Sequence, residues 1–470
     1  MNWLKRLLFA VVCLVTLCGL FITVENWRGK RAWDLYQRQR EAVGDSFDWQ
    51  SVTPAPVPDA ENFAAIPLFA ELFPKPPKKP RLDALRLPDC HDAGGDWHLG
   101  RAENLAAWRR CFTNDDLLAA LKVYEPILSQ ITEALQQRPK CRFPVRYEEH
   151  VNALLPHLMH LRNAARIYRL RALAELAAGQ TDAALEDVRL GLRLADTIKD
   201  EPILISFLVR ATLLELAAQP VWEGLAAHRW DDRQLAALQT EFANADQLAA
   251  FARAVRGERL CAYNVCRWLI HQTEARPLLF GQLANAGAQP VLTKWIGCAI
   301  PTGWWYQNMV TLDRLYTEVY FPTMDLKNRR LDPHAWQAVE ETFQRKPRSP
   351  YNILSKLLLP ALSACALNAA SSQTTADEIV IACALQRHRL AKGTLPDTLD
   401  ALVPEFLAKV PSDIMDGQPL RYQHDGDRFK LWAVGWNRTD DGGTVETSGD
   451  KNPRWEKKKG DWVWVCPSSH

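Results

Sequence analysis

Residues Leu7 to Val24 are 18 consecutive positions without a charged side chain, interrupted only by Thr16, Gly19 and Thr23. At about 1.5 Å of rise per residue such a run approaches the thickness of a bilayer's hydrocarbon core, where a helix satisfies its own backbone donors and acceptors. The expectation is a single N-terminal membrane anchor. A cleaved signal peptide would have a shorter apolar region closed by small residues, whereas this run ends in Phe21-Ile-Thr-Val-Glu25-Asn-Trp27. Lys5 and Arg6 precede the run and Arg28, Lys30 and Arg31 follow it, so charge counting alone favours a cytoplasmic C-terminus. A short basic tail ordinarily stays inside, as in an uncleaved signal anchor, and this sets the expectation of an extracytoplasmic body on a bacterial inner membrane. Trp27 and Trp33 suit the interfacial belt.

The full chain of 470 residues exceeds what one hydrophobic core usually serves. Its 57 basic and 55 acidic residues nearly cancel, which leaves no field to attract a polyanion and argues against a nucleic-acid partner. Cysteines 90, 111, 141, 261, 266, 298, 365, 383 and 466 lie outside the apolar run and form no C-x-x-C pair. An oxidising location would allow one or two disulfides among Cys90, Cys111 and Cys141, in a pairing the sequence leaves open.

The expected fold is mainly α, in five parts: tail and anchor (1–24), juxtamembrane helix (25–50), proline-rich connector (51–100), helical domain (101–350), and a long helix with a small α+β domain (351–470). Residues 54 to 88 contain nine prolines, including Pro74-Lys-Pro-Pro-Lys-Lys-Pro80. Proline fixes φ and withholds a donor, so an extended connector is expected, lying along the body or holding it off the membrane. A PxxP ligand is the sharper alternative. The helical domain reads as irregular, with a solenoid as its regular limit. In Arg162 to Ile198 one helix closes at Gly179 and the next, capped by Asp182, carries Ala184, Leu185 and Val188 on one face. This pair resembles one tetratricopeptide repeat without a second copy at the repeat period. The aromatic runs Gly297 to Tyr306 and Tyr316 to Pro322 are expected in the core.

The C-terminal stretch is the most patterned. A helix over Leu354 to Lys392 stops at Gly393 and Pro396, a short helix covers Asp397 to Leu407, and Pro411-Ser-Asp413 makes a turn. Strand-like runs follow at Leu420 to Gln423, Phe429 to Val434 and Trp462 to Cys466, with a hairpin signal at Asp425-Gly-Asp427. Asp440-Asp-Gly-Gly443 and Gly460-Asp461 complete the pattern. In this order the segment 372–465 resembles the C-terminal domain of the major pseudopilins of type II secretion systems, and the whole arrangement is similar to bacterial proteins that pair an anchor, a connector and a helical body with this ending. The family's processing motif before its apolar helix is absent: Gly19-Leu-Phe-Ile-Thr-Val-Glu25 lies at the exit end of the run. The resemblance implies a calcium-binding loop, with Asn437 in place of a family Asp, Asp461 matching the distal Asp, and Asp440 and Asp441 as additional ligands. Carboxylates and amide oxygens on a glycine-rich turn suit that ion. Lys457-Lys-Lys459 adds opposing charge.

Two other constellations bear on metals. Cys90-His91-Asp92, Asp96 and His98 gather around Gly94-Gly95, and Cys90, His91, Asp96 and His98 form the alternative metal set, for zinc. His157 and His160 stand three apart on a helix and are expected as surface histidines. Neither nucleophile-elbow nor phosphate-loop nor dinucleotide motifs occur. The expected function is therefore that of a membrane-anchored envelope protein binding or scaffolding a protein partner through its helical domain, associated with a secretion or pilus-like assembly. The alternative is a periplasmic metal-dependent hydrolase.

Overall fold

The computed structural model describes residues 2–73, 75–76, 78–91, 95–272, 300–345, 347, 349–449 and 454–466. Gly94 and Asp92 of the zinc alternative, and 297–299 of the first aromatic run, lie outside these. The molecule is mainly helical, with a long apolar helix at the N-terminus and a small sheet region at the C-terminus.

Helix α1 (Asn2–Ala42) divides at Glu25. Before it the apolar side chains are exposed, Phe9 at 70% and Leu14 at 61%. From Glu25 on, Gly29, Trp33 and Tyr36 recur at helical spacing and turn into the body. Trp33 stacks on Tyr263 with ring centroids 5.3 Å apart, and the Tyr36 hydroxyl donates to Asp313 Oδ2 at 2.9 Å. Arg259 closes this contact by pairing with both Asp313 and Asp45. The apolar helix is compatible with a membrane anchor or a signal sequence. Its polar half packs against the body through one buried stripe.

The short helices α2 (Pro67–Ala70), α3 (Leu105–Phe112) and α4 (Leu117–Leu121) and the longer α5 (Glu125–Gln137), α6 (Pro156–Ala177) and α7 (Thr181–Asp196) form one lobe of the core. The proline-rich segment belongs to that lobe. Phe63, Leu68, Phe69, Leu72, Leu82 and Leu85 are all fully buried against residues such as Leu128, Ile131, Leu161 and Tyr168. The segment thus lies along the body rather than acting as a stalk: proline spaces these side chains without leaving backbone donors to satisfy. A disulfide joins Cys90 to Cys111, tying the segment's end to α3, while Cys141 is free. Gly179, at φ +77°, ends the α6 turn as the sequence suggests. Asp182 does not cap α7; its carboxylate accepts from Gln234 and Arg233 instead.

Helices α8 (Leu204–Ala226), α9 (Asp232–Ala243), α10 (Gln247–His271), α11 (Thr302–Arg314) and α12 (Pro333–Arg345) surround α13 (Ile353–Lys392). Helix α8 is apolar enough to cross a bilayer, yet most of it is buried as a core element. Trp305, Tyr316 and Tyr320 of the aromatic runs pack in the core of the α10–α11–α12 lobe, as expected, together with Trp336. Helix α13 runs from that lobe into the one beneath the sheets, and from Ile379 to Leu385 every residue is buried. Because α8, α9 and α10 all contact it, packing continues without a break across position 351.

A hairpin of β1 (Met324–Asp325) and β2 (Arg330–Leu331) precedes α12. After α13, Gly393 adopts φ +84°, and the expected short helix contracts to a 3-10 turn at Leu399–Leu402. Strands β3 (Arg421–Asp425), β4 (Arg428–Ala433) and β7 (Trp462–Cys466) pair antiparallel in the order β3-β4-β7, with Asp425 opposite Arg428 across the expected turn. A second ribbon, β5 (Val445–Thr447) with β6 (Trp455–Gly460), was not foreseen; β6 holds the three lysines 457–459. The sheet rests on the body through Trp464 against Trp97 and through Trp222, whose Nε1 donates to the Val465 carbonyl at 2.8 Å.

Candidate functional site

The acidic loop is closed by its own backbone. Asp461 is fully buried, and its Oδ2 accepts from the amides of Asp441 (3.0 Å), Gly443 (2.6 Å) and Thr444 (3.4 Å). Asp440 accepts from Trp432 Nε1 at 2.9 Å and from the Gly442 amide, and Asn437 donates to Asp441 at 3.0 Å. Asn437, Asp440 and Asp441 thus share the loop between β4 and β5, which Asp461, between β6 and β7, joins through Oδ2, while Asn437 presents its amide nitrogen to Asp441. Among the described residues no group of three or more His, Cys, Asp or Glu is arranged to hold a metal.

The zinc alternative is dispersed. Cys90 is in a disulfide and has no thiolate to offer, and His91 is exposed. Asp96 pairs with Arg101. His98 is sandwiched between Trp97 and Trp455, at centroid distances of 3.5 and 3.9 Å, with Nε2 3.3 Å from Glu215. The two helical histidines are also not on the surface: His157 is buried, stacked on Phe143, and 2.9 Å from Glu201 Oε1. His160 is buried too, and burial lowers its pKa.

The polar run of α13 is where the body departs most from an apolar core. Ser371, Ser372, Gln373, Thr374, Thr375, Asp377 and Glu378 are all buried. Thr375 donates to Glu215 at 3.4 Å, and Gln373 accepts from the Gln247 amide at 2.8 Å. Burial raises the carboxyl of Glu378 well above its ordinary range, reinforced by Glu215, Asp377 and Asp413. For Glu215 the same burial is outweighed by His98, and its pKa is lowered.

On the Asp377 side this helix floors a cleft of about 800 Å³. Its walls are the β1–β2 hairpin, residues 407–418, and Gln239 and Ala243 of α9. Arg329, held at φ +51° in the hairpin loop, donates to Asp377 Oδ1 at 2.9 Å. Burial pushes the Asp377 carboxyl up to about 6 in spite of that guanidinium. The opposite wall is organised by buried Asp413, which accepts from the Met415 and Val434 amides at 2.8 and 2.9 Å and from Arg421 at 2.8 Å. Arg421 also holds Asp416, and the Leu331 amide joins hairpin to wall through the Ile414 carbonyl at 3.1 Å. Gly417, at φ +78°, lets Arg330 lie across it, since a Cβ there would be 3.1 Å from Nε.

Both lining carboxylates are thus committed, Asp377 to Arg329 and Asp416 to Arg421, whereas Lys327, Arg330 and Lys409 have no ion-pair partner among the described residues. The described lining contains neither histidine nor cysteine. It is suited to holding an anionic group beside the apolar Val380, Leu407 and Val410. The sequence reading singled out Pro411-Ser-Asp413 but missed the cleft; the available signal was Lys327-Asn-Arg-Arg330, three cations in a four-residue stretch. Comparisons with protein-family models, curated proteins and solved structures found no match.

Proposed function

We propose that this chain is a membrane-anchored, extracytoplasmic binding protein that holds an acidic segment of a protein partner in the cleft beside Asp377. One observation carries the reading: a single helix changes at Glu25 from exposed and apolar to buried, so whatever the body binds is held at a bilayer. The unpaired cations supply the recognition, and the Cys90–Cys111 bond supports an oxidising compartment. The pseudopilin-like ending extends the proposal to a role beside a secretion or pilus-like assembly. The test is co-purification from detergent-extracted membranes of the native chain and of the triple variant Lys327→Ala, Arg330→Ala, Lys409→Ala. Loss of a specific partner in the variant is expected; recovery of the same proteins with both would overturn the cleft assignment, and recovery of the native chain in the soluble fraction would overturn the anchor.

A further inference from the structure

We infer that the body is seated directly in the phospholipid headgroup layer through the ends of α10, α11 and α13, with no spacer between bilayer and fold. The inference rests on the anchor reading above and adds to it a lipid-contacting surface.

The apolar run ends at Val24, and the next residue already belongs to the body. Glu25 is buried, its Oε2 accepting from Trp304 Nε1 at 3.1 Å and from the Tyr351 hydroxyl at 2.8 Å. Asn26 Oδ1 accepts from the Gly303 amide at 3.0 Å. One turn further on the backbones touch: a Cβ on Gly29 would lie 2.2 Å from the Gly303 carbonyl oxygen, and one on Gly303 would lie 1.9 Å from that of Glu25. The start of α11 and, through Tyr351, the approach to α13 are thereby fixed at the level of Glu25.

Helix α10 reaches the same level from the other direction. Its Arg259 meets Asp45 and its Tyr263 meets Trp33, so it runs antiparallel to α1. Two further turns carry Arg267, Trp268 and His271 toward residues 25 to 30 of α1. The exposed groups at this end are aromatic and cationic: Trp27 is 61% exposed with Arg31 stacked over its ring at 5.2 Å, Trp268 is 38% exposed, and Arg28 and Arg267 are exposed beside them.

Residues 25 to 30 rise roughly 9 Å beyond the apolar run, close to the roughly 5–8 Å depth of one headgroup layer. Indole rings favour that depth, and arginines there meet lipid phosphates. A body fused to α1 at Glu25 cannot withdraw from this layer without unpacking the Gly29–Gly303 contact.

The test places a benzoylphenylalanine photocrosslinker singly at Val12, Trp268 or Val123 in the full chain, reconstituted in vesicles of phosphatidylethanolamine and phosphatidylglycerol, with lipid adducts read by mass. Val123 is 70% exposed in the lobe whose core contains no residue of α1. Adducts at 12 and 268, several-fold above those at 123, are expected. Adducts at 12 alone would overturn the seating and leave the anchor standing, adducts at none of the three would overturn both, and equal adducts at 123 and 268 would overturn a specific seat.

Discussion

Asp377→Asn should change how the stability of this protein depends on pH. The carboxyl is 6% exposed on the cleft floor, 2.9 Å from Arg329 and 3.3 Å from Gln373 Nε2. Burial, the largest influence, raises its pKa from 3.8 to about 6, and Asp246 adds to the rise. The folded state therefore binds this proton more tightly than the unfolded chain. Its contribution is fully present below pH 3.8, is lost as pH climbs to about 6, and is flat above. Two pKa units at 1.36 kcal/mol each give a loss of about 3 kcal/mol across that window. Asparagine has the same outline and no proton to lose, so the stability of the variant relative to the native chain should rise by up to ~3 kcal/mol between pH 4 and pH 7. Urea unfolding of the detergent-solubilised chain at several pH values, followed by tryptophan emission, measures it. A native-minus-variant difference that stays constant from pH 4 to 7 would refute the buried, perturbed carboxyl.

Gly29→Val should loosen α1 from the body, because the helices would have to separate by about 1 Å; overpacking of this kind costs about 1–3 kcal/mol, and thermal melting should show the loss. Gly19→Val in the same helix meets open space and should leave melting unchanged; equal effects would contradict the Gly29–Gly303 contact. Replacing Cys90 and Cys111 together by alanine opens a loop of 21-residue separation. Closing a loop of that size contributes about 3 kcal/mol, so a lower melting temperature is expected, and an unchanged one would contradict the bond. Because backbone amides already occupy Asp461 Oδ2 and Asn437 turns its amide nitrogen to Asp441, millimolar Ca²⁺ is expected to leave the melting temperature unchanged; a rise of several degrees abolished by Asp440→Asn would restore a cation to the acidic loop.

What was legible in the sequence was local. The apolar run, the helix stops at Gly179 and Gly393, and the Asp425-Gly-Asp427 hairpin each depend on a few neighbouring residues and on the conformational freedom of glycine. What was not legible depends on partners distant in the chain. The proline-rich segment looked like a spacer because its composition dominates; its Phe63, Leu68 and Leu82 declare themselves only against α5 and α6. His157 looked like a surface residue until Glu201 and Phe143 closed over it. Pro411-Ser-Asp413 was legible as a turn, but the role of Asp413 in joining the Val434 amide and Arg421 was not. The cleft itself is assembled from four separate stretches of chain, none of which alone marks a binding site.

Helix α13 also sets a scale. Its first turn follows Tyr351, which touches Glu25 where the apolar run ends, and its last residue precedes the β-sheet ending. Its 40 residues give it a length along the axis of roughly 60 Å. Asp377 stands about 36 Å along it, so on the proposed anchor reading the cleft lies no higher than that above the level of Glu25. Under the proposed reading, a partner tethered to the same membrane needs an arm of no more than that reach.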